Sequence, residues 1–159
     1  MIALAPLPHD RVADVLHLLV GAGQEIFVHP IAEMVTDRVP GVAFHAARRD
    51  GGEVVGFFKT DRDYAERHDF APPGIPGLRG MLIGAQYQGK GYGRAVMAAL
   101  PAYLAGVFPG KSAILLTVNC TNPLARHVYL AGGWRDTGAL YQGGRTGPQH
   151  ILQLDLGRG

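Results

Sequence analysis

The chain has 159 residues, 47% of them hydrophobic and 18% charged, which suits one folded domain, 1–159, and excludes a disordered tail protein. Its one cysteine, Cys120, excludes an internal disulfide and fits a reducing compartment, so a cytoplasmic location is expected. No run nears the roughly 20 apolar residues of a membrane span, nothing at the N-terminus reads as a signal peptide, and a net charge of +2 does not by itself imply nucleic acid.

In chain order, Ile2 to Leu7 reads as a strand, and Pro8 to Val20 as an amphipathic helix with Val12, Val15, Leu16 and Leu19 on one face. A second short helix is expected over Ile31 to Arg38. Val42 to Arg49 and Glu53 to Thr60 make a hairpin around Asp50-Gly51-Gly52. Asp61 to Gly77 reads as a long loop ending in a Pro/Gly-rich run, a length that is uncommon unless it serves function. Leu78 to Gly84 is the next strand. A helix should then run to about Gly106, with Pro101 expected to kink or end it. Ala113 to Val118 is a buried strand. Thr121 or Asn122 can cap a helix that starts at Pro123 and stops at Gly132-Gly133. Trp134 to Tyr141 and His150 to Leu156 close the chain as strands, giving a mixed α/β sheet.

Charge is unevenly spread. Residues 1–69 carry seven Lys/Arg against eleven Asp/Glu, whereas residues 70–135 carry Arg79, Lys90, Arg94, Lys111, Arg126 and Arg135 and no acid. Such a division suits a cationic substrate on one side and a polyanionic one on the other. Chance clustering of solvated charges explains it equally well.

The most informative stretch is Gln88-Gly89-Lys90-Gly91-Tyr92-Gly93-Arg94, between a strand and a helix. Alternating glycines let backbone N–H groups face one concavity, and the helix behind adds unpaired donors and a dipole, an arrangement that holds a phosphate. A dinucleotide turn needs G-x-G-x-x-G and an acid about 20 residues on. Here the third glycine comes one position early, and no Asp or Glu lies between Asp69 and Asp136. A Walker P-loop is absent as well.

What the stretch does match is Q/R-x-x-G-x-G/A, read as Gln88, Gly91 and Gly93. It resembles the acetyl-CoA pyrophosphate loop of the GNAT superfamily of N-acetyltransferases. Downstream, Asn122, Ala125, Tyr129 and Gly133, with Trp134 in place of Phe, resemble that superfamily's second acetyl-CoA motif, N-x-x-A-x-x-x-Y-x-x-x-G-F, in matching order and spacing. The look of the loop is nearest to the diamine/spermidine acetyltransferase branch.

The resemblance implies a GNAT fold: a mostly antiparallel sheet of six to seven strands, splayed at the two middle ones and flanked by about four helices. It implies acetyl-CoA as co-substrate and direct attack by a small primary amine, with a lean to polyamines. The backbone of Leu82 and Ile83 would pair with pantetheine and meet the oxyanion. Gln88, Gly89, Lys90, Gly91, Tyr92, Gly93 and Arg94 would hold the pyrophosphate, Asn122 would reach the pantetheine arm beside Ala125, and Tyr129 would protonate the departing thiolate. A plain core aromatic is the competing reading of Tyr129. Many members carry a carboxylate base on the splayed strand, where this chain has Arg79 and Met81. A carboxylate base would therefore have to come from residues 1–69 or from Asp136 or Asp155. Glu25, Glu33 and Asp61 are the candidates, for base and for substrate contact, with a water chain or prior deprotonation in solvent equally open as the base. No metal is expected, because the histidines show no ligand spacing. No nucleic-acid or membrane partner is expected, and the resemblance admits a homodimer. A non-catalytic acyl-CoA-binding module on the same scaffold is the alternative function.

Overall fold

The computed structural model describes residues 1–157. Its strands are β1 (Ile2–Leu7), β2 (Val42–Arg49), β3 (Val54–Asp61), β4 (Gly77–Ile83), β5 (Ala113–Asn119), β6 (Arg135–Tyr141) and β7 (Gln149–Asp155). They form one seven-stranded sheet in the order β1-β2-β3-β4-β5-β7-β6. Every neighbouring pair is antiparallel except β4 with β5. The helices are α1 (Ile31–Met34), α2 (Tyr64–Arg67), α3 (Tyr92–Val107) and α4 (Pro123–Ala131). This is the mixed α/β architecture expected from the sequence.

The centre of the sheet carries the core. Every residue of β3 is buried, with Val55, Phe57 and Phe58 fully so. That needs cover on both faces, consistent with a strand that reads as a near-continuous apolar run. Helix α3 inserts Val96, Leu100 and Leu104, each at 0% exposure. It runs through Pro101 to Val107, close to the expected end near Gly106, so the proline does not end it. The missing proline N–H and the ring's clash cost about 3 kcal/mol. Burying Leu100 and Leu104 at about 1.5–3 kcal/mol each is enough to hold the helix together across that defect.

Three local expectations are revised. Pro8 to Val20 is not an α-helix but a 3-10 stretch over His9–Val15, followed by irregular chain up to Pro30. Its inward residues are Val12, Val15 and Leu18, while Leu16 and Leu19 are 48% and 59% exposed. A spacing of three matches three residues per turn, not 3.6. The second helix shortens to α1 because the hydrogen bonds beyond Met34 tighten into turns: Thr36 N–H donates to Glu33 O and Asp37 N–H to Met34 O. Within the long loop, the single turn α2 stands where no helix was expected; Tyr64, 1% exposed, anchors it.

His45 on β2 is 2% exposed, with Nδ1 2.6 Å from the Tyr103 hydroxyl and Nε2 2.8 Å from Thr60 Oγ1. Burial depresses its pKa from 6.5 to about 4. The unfolded chain therefore takes up this proton first. The stabilisation is complete above pH 6.5 and is lost as pH falls toward 4, by up to about 3 kcal/mol. Urea titrations across that window should show the decline, with His68 contributing in the same direction. His45→Gln should flatten the slope; an unchanged slope would contradict the assignment.

Candidate active site

Strands β4 and β5 run side by side at one end only. Gly77 pairs with Leu115, Leu115 N–H donates to Pro76 O at 3.1 Å, and beyond that point no pairing joins them. The wedge they leave is a cleft of about 120 Å³ whose walls include Arg79, Gly80 and Met81 from β4 and Thr117 to Asn119 from β5. Asn122, the cap of α4, and Ala125 and Tyr129 within it close one side of it, and Phe27 and Val28 another.

Two devices shape the β4 wall. Phe57 pairs with Leu82 and Lys59 with Arg79, so Gly80 and Met81 together stand opposite the single residue Phe58. This is a bulge, and Gly80 takes it up at φ +62°, a conformation that favours glycine. A glycine inside a strand pattern is the sequence signal that could have announced it. Further along, Gly84 N–H donates to Val55 O. Antiparallel alternation then turns the peptide groups of Leu82 toward β3 and those of Ile83 away from it. Gln88 Nε2 donates to Ile83 O at 3.0 Å, as that orientation requires. Of the two residues expected to face pantetheine, Ile83 faces the cleft. Leu82, 3% exposed and paired to Phe57, does not.

The glycine loop continues the same wall. Gly89 (φ +78°) and Gly91 (φ +86°) are both left-handed, and Gly91 is the residue before α3. Among the described residues, none of the backbone N–H groups from Gly89 to Arg94 has a backbone acceptor; the first helical bond is Ala95 N–H to Gly91 O. A run of unpaired donors at the positive end of a 16-residue helix is an arrangement that suits an anion. Gly89, Gly91, Gly93 and Arg94 line a cavity of about 730 Å³ that reaches His127, Val128 and Gly132 on the α4 side. Neither Lys90 nor Arg94 has a carboxylate within 4.0 Å among the described residues. Lys90 does not line the cavity. Tyr92 turns its ring the other way, where its hydroxyl accepts from Arg49 at 3.1 Å.

Between loop and wedge, a cavity of about 360 Å³ joins Ile83, Gln88 and Gly93 to Asn122, Ala125, Val128 and Tyr129. Asn122 caps α4, its Oδ1 accepting from Ala125 N–H at 3.3 Å, which leaves its Nδ2 as a donor. No residue of α4 is fully buried, because the helix leans on the cleft instead of on packed core. Tyr129 sits at the junction of the two smaller spaces. Trp134 meets its ring edge-on at 5.7 Å, and Trp134 N–H donates to Tyr129 O. Desolvation, the sole perturbation on the phenol, pushes its pKa above the ordinary value. The hydroxyl therefore keeps its proton at neutral pH.

The sequence-based candidates for substrate contact lie elsewhere. Glu25 is exposed and lines none of these spaces. Glu33 is exposed and pairs with His29 at 3.4 Å. Asp61 is wholly buried, with Arg67 Nε and Nη2 on its two oxygens at 2.7 and 2.9 Å; the guanidinium and the Asp63 N–H hold the carboxyl below its ordinary range against the effect of burial. None of the three reaches the cleft. The far end of the wedge opens instead into a cavity of about 350 Å³ lined by Tyr64, His68, Arg79, Tyr141 and Arg145. Only Arg79 of these drew notice in the sequence. They come from four separate segments with no shared motif, and the fold alone brings them together.

The model of the acetyltransferase (GNAT) family matches residues 13–133. The chain belongs to this family. An uncharacterized N-acetyltransferase of Bacillus subtilis, YbbJ, is 39% identical over 75 residues, 47% of this chain and 46% of its own length, so the match spans about half of each protein. Among solved structures, a chimera of the Vibrio cholerae spermidine N-acetyltransferase SpeG and hSSAT superposes with a TM-score of 0.71 at 18% identity, covering 98% of this chain and 95% of that one. The aminoglycoside acetyltransferase AAC(6')-Ib, in complex with coenzyme A and kanamycin, gives 0.75 at 19% identity with the same coverage. At such identities these two neighbours show the GNAT fold.

A methyl group at Gly91 has open space around it, so what it disturbs is backbone conformation and not packing. Gly91→Ala should leave the fold cooperative, cost about 1 kcal/mol of stability, and weaken acetyl-CoA binding tenfold or more by calorimetry. Unchanged affinity would remove the loop from the anion site.

Proposed function

We propose that this chain transfers an acetyl group from acetyl-CoA to a small primary amine by direct attack in a ternary complex. The observation that carries the proposal is the pairing of one wedge between parted strands with one loop of unpaired N–H groups at its mouth. A long, thin ligand with a polyanionic end fits that combination. Its phosphates would lie on the N–H groups of residues 89 to 94 beside Arg94. Its amide-bearing arm would run along Ile83 as an extra strand, within reach of Asn122 Nδ2. Its acyl end would reach the bulge at Gly80 and Met81.

The chemistry then assigns itself by position. The amine enters from the Arg79 side, and its nitrogen lone pair forms the new C–N bond at the thioester carbon. A backbone N–H of β4 left outside the β3 ladder, between the Gly80–Met81 bulge and Ile83, meets the developing oxyanion. As the C–S bond breaks, the Tyr129 hydroxyl gives its proton to the sulfur, and the amine's surplus proton leaves through solvent or His68. His68 lines the acceptor cavity and burial holds its pKa below the ordinary value, so it enters as a neutral imidazole able to accept.

SpeG and AAC(6')-Ib act, by their names, on spermidine and on aminoglycosides. Polycations of either kind are best met by carboxylates, and among the described residues no Asp or Glu lines the acceptor cavity. The lean toward polyamines therefore gains no support from the lining, and a small amine of another kind fits better.

Tyr129→Phe removes the proton donor and little volume. Thiol release from acetyl-CoA should fall about 100-fold in kcat, with the KM for acetyl-CoA changed less than threefold. Full activity in the variant would return Tyr129 to a packing role. Binding of acetyl-CoA without turnover of any amine would favour the non-catalytic module.

A further inference from the structure

The acceptor end of the wedge has an electrostatic character that the family assignment does not specify. Two guanidiniums line it, Arg79 from β4 and Arg145 from the turn between β6 and β7, and among the described residues its lining contains no carboxylate. Arg145 has no carboxylate within 4.0 Å among the described residues. Arg79 reaches Asp61 only at 4.0 Å. Asp61 is already engaged on both oxygens by Arg67 and by the Asp63 N–H. One carboxylate thus faces two guanidiniums at that corner, and the charge of Arg79 is in surplus. Asp69, the acid next to His68, is exposed and outside the lining.

We propose that the acceptor is a primary amine that also bears an anionic group, a carboxylate or a phosphate, held between Arg79 and Arg145. Guanidinium forks suit both anions, since each can take two parallel N–H bonds. At about 350 Å³ the cavity is at the small end of the range for small-molecule sites. His68 does not add a third cation, because burial and the charge of Arg79 both keep it neutral. The same two guanidiniums repel a diamine or polyamine, whose second ammonium would have no counter-charge in the cavity. The rings of Tyr64 and Tyr141 leave an apolar wall for the carbon skeleton between amine and anion.

This inference rests on the acetyl-transfer reading, and the test separates the two. Thiol release from acetyl-CoA is measured with matched amines that differ by the anion alone: ornithine against putrescine, lysine against cadaverine, phosphoethanolamine against ethanolamine. At least one anion-bearing member should exceed its partner tenfold or more in kcat/KM. The pair in which that preference is found tells carboxylate from phosphate. Arg145→Gln, on an exposed turn, and Arg79→Gln should each cut the preference at least fivefold, chiefly through KM. Equal or better use of the anion-free member in all three pairs overturns the inference while leaving acetyl transfer standing. So does a preference that survives both substitutions. If no amine is turned over, the transferase reading fails, and calorimetry of the same pairs on the CoA-loaded protein decides. Tighter binding of an anion-bearing member, weakened by Arg145→Gln, upholds the anion site; no difference within any pair overturns it.

Discussion

The structure depends on the early parting of β4 and β5. A parallel pair inside a sheet normally continues for several residues; here it stops after Gly77 and Leu115. From there, both strands turn backbone groups toward a gap. Unpaired peptide groups facing a gap are tolerable where water or a ligand can reach them, and costly where the gap is packed shut. The cleft must therefore stay open, and the rest of the fold is arranged to keep it so. Helix α4 spans it without a fully buried residue, the bulge at Gly80 re-aims the β4 wall, and Gln86 ties the 17–19 segment to the loop after β4 through His17 O and Leu19 N–H.

The uneven charge of the sequence takes a different meaning once partners are visible. Four of the eleven acids of the first 69 residues are held close by Lys or Arg of the same stretch: Asp14 by Arg11 and Arg48, Asp37 by Lys59, Glu53 by Arg49, Asp61 by Arg67. These four are spent inside the fold, while Asp10, Glu25, Glu66 and Asp69 stay exposed on the surface. Arg126 of the cationic middle is likewise paired, with Asp136, and Arg135 lies 3.7 Å from Asp155. Among the described residues, Lys90 and Arg94 have no carboxylate partner beside a run of N–H groups without backbone acceptors. Where charge remains uncompensated, it marks the places a ligand would supply the counter-charge.

What could be read from the sequence was what is encoded locally. Apolar, β-prone runs bounded by turn residues marked the strands. Gly89, Gly91 and Gly93 before Ala95 marked a strand–turn–helix, and Asn122-Pro123 marked a capped helix start. All three stand where expected. Pro8 to Val20 misled because leucines at 16 and 19 completed a 3.6-residue face, whereas the chain winds at three residues per turn and buries Leu18 instead. Asp61 looked available because it is an acid at the end of a hairpin, and sequence cannot show Arg67 folded back over it. The cavity at the far end of the wedge was hidden for a topological reason. Tyr64, Arg79, Tyr141 and Arg145 meet only because the sheet order sets β4 beside β5 and β7 next to it.

The most direct measurement of the central claim is amide hydrogen exchange with and without acetyl-CoA. If the cofactor lies in the wedge as an added strand and its phosphates sit on the glycine loop, peptides covering 80–94 and the start of α4 should slow sharply on binding. Those of β1, β2 and β6 should not change. Protection spread evenly over the sheet, or absent from 80–94 while acetyl-CoA is bound, would contradict the account.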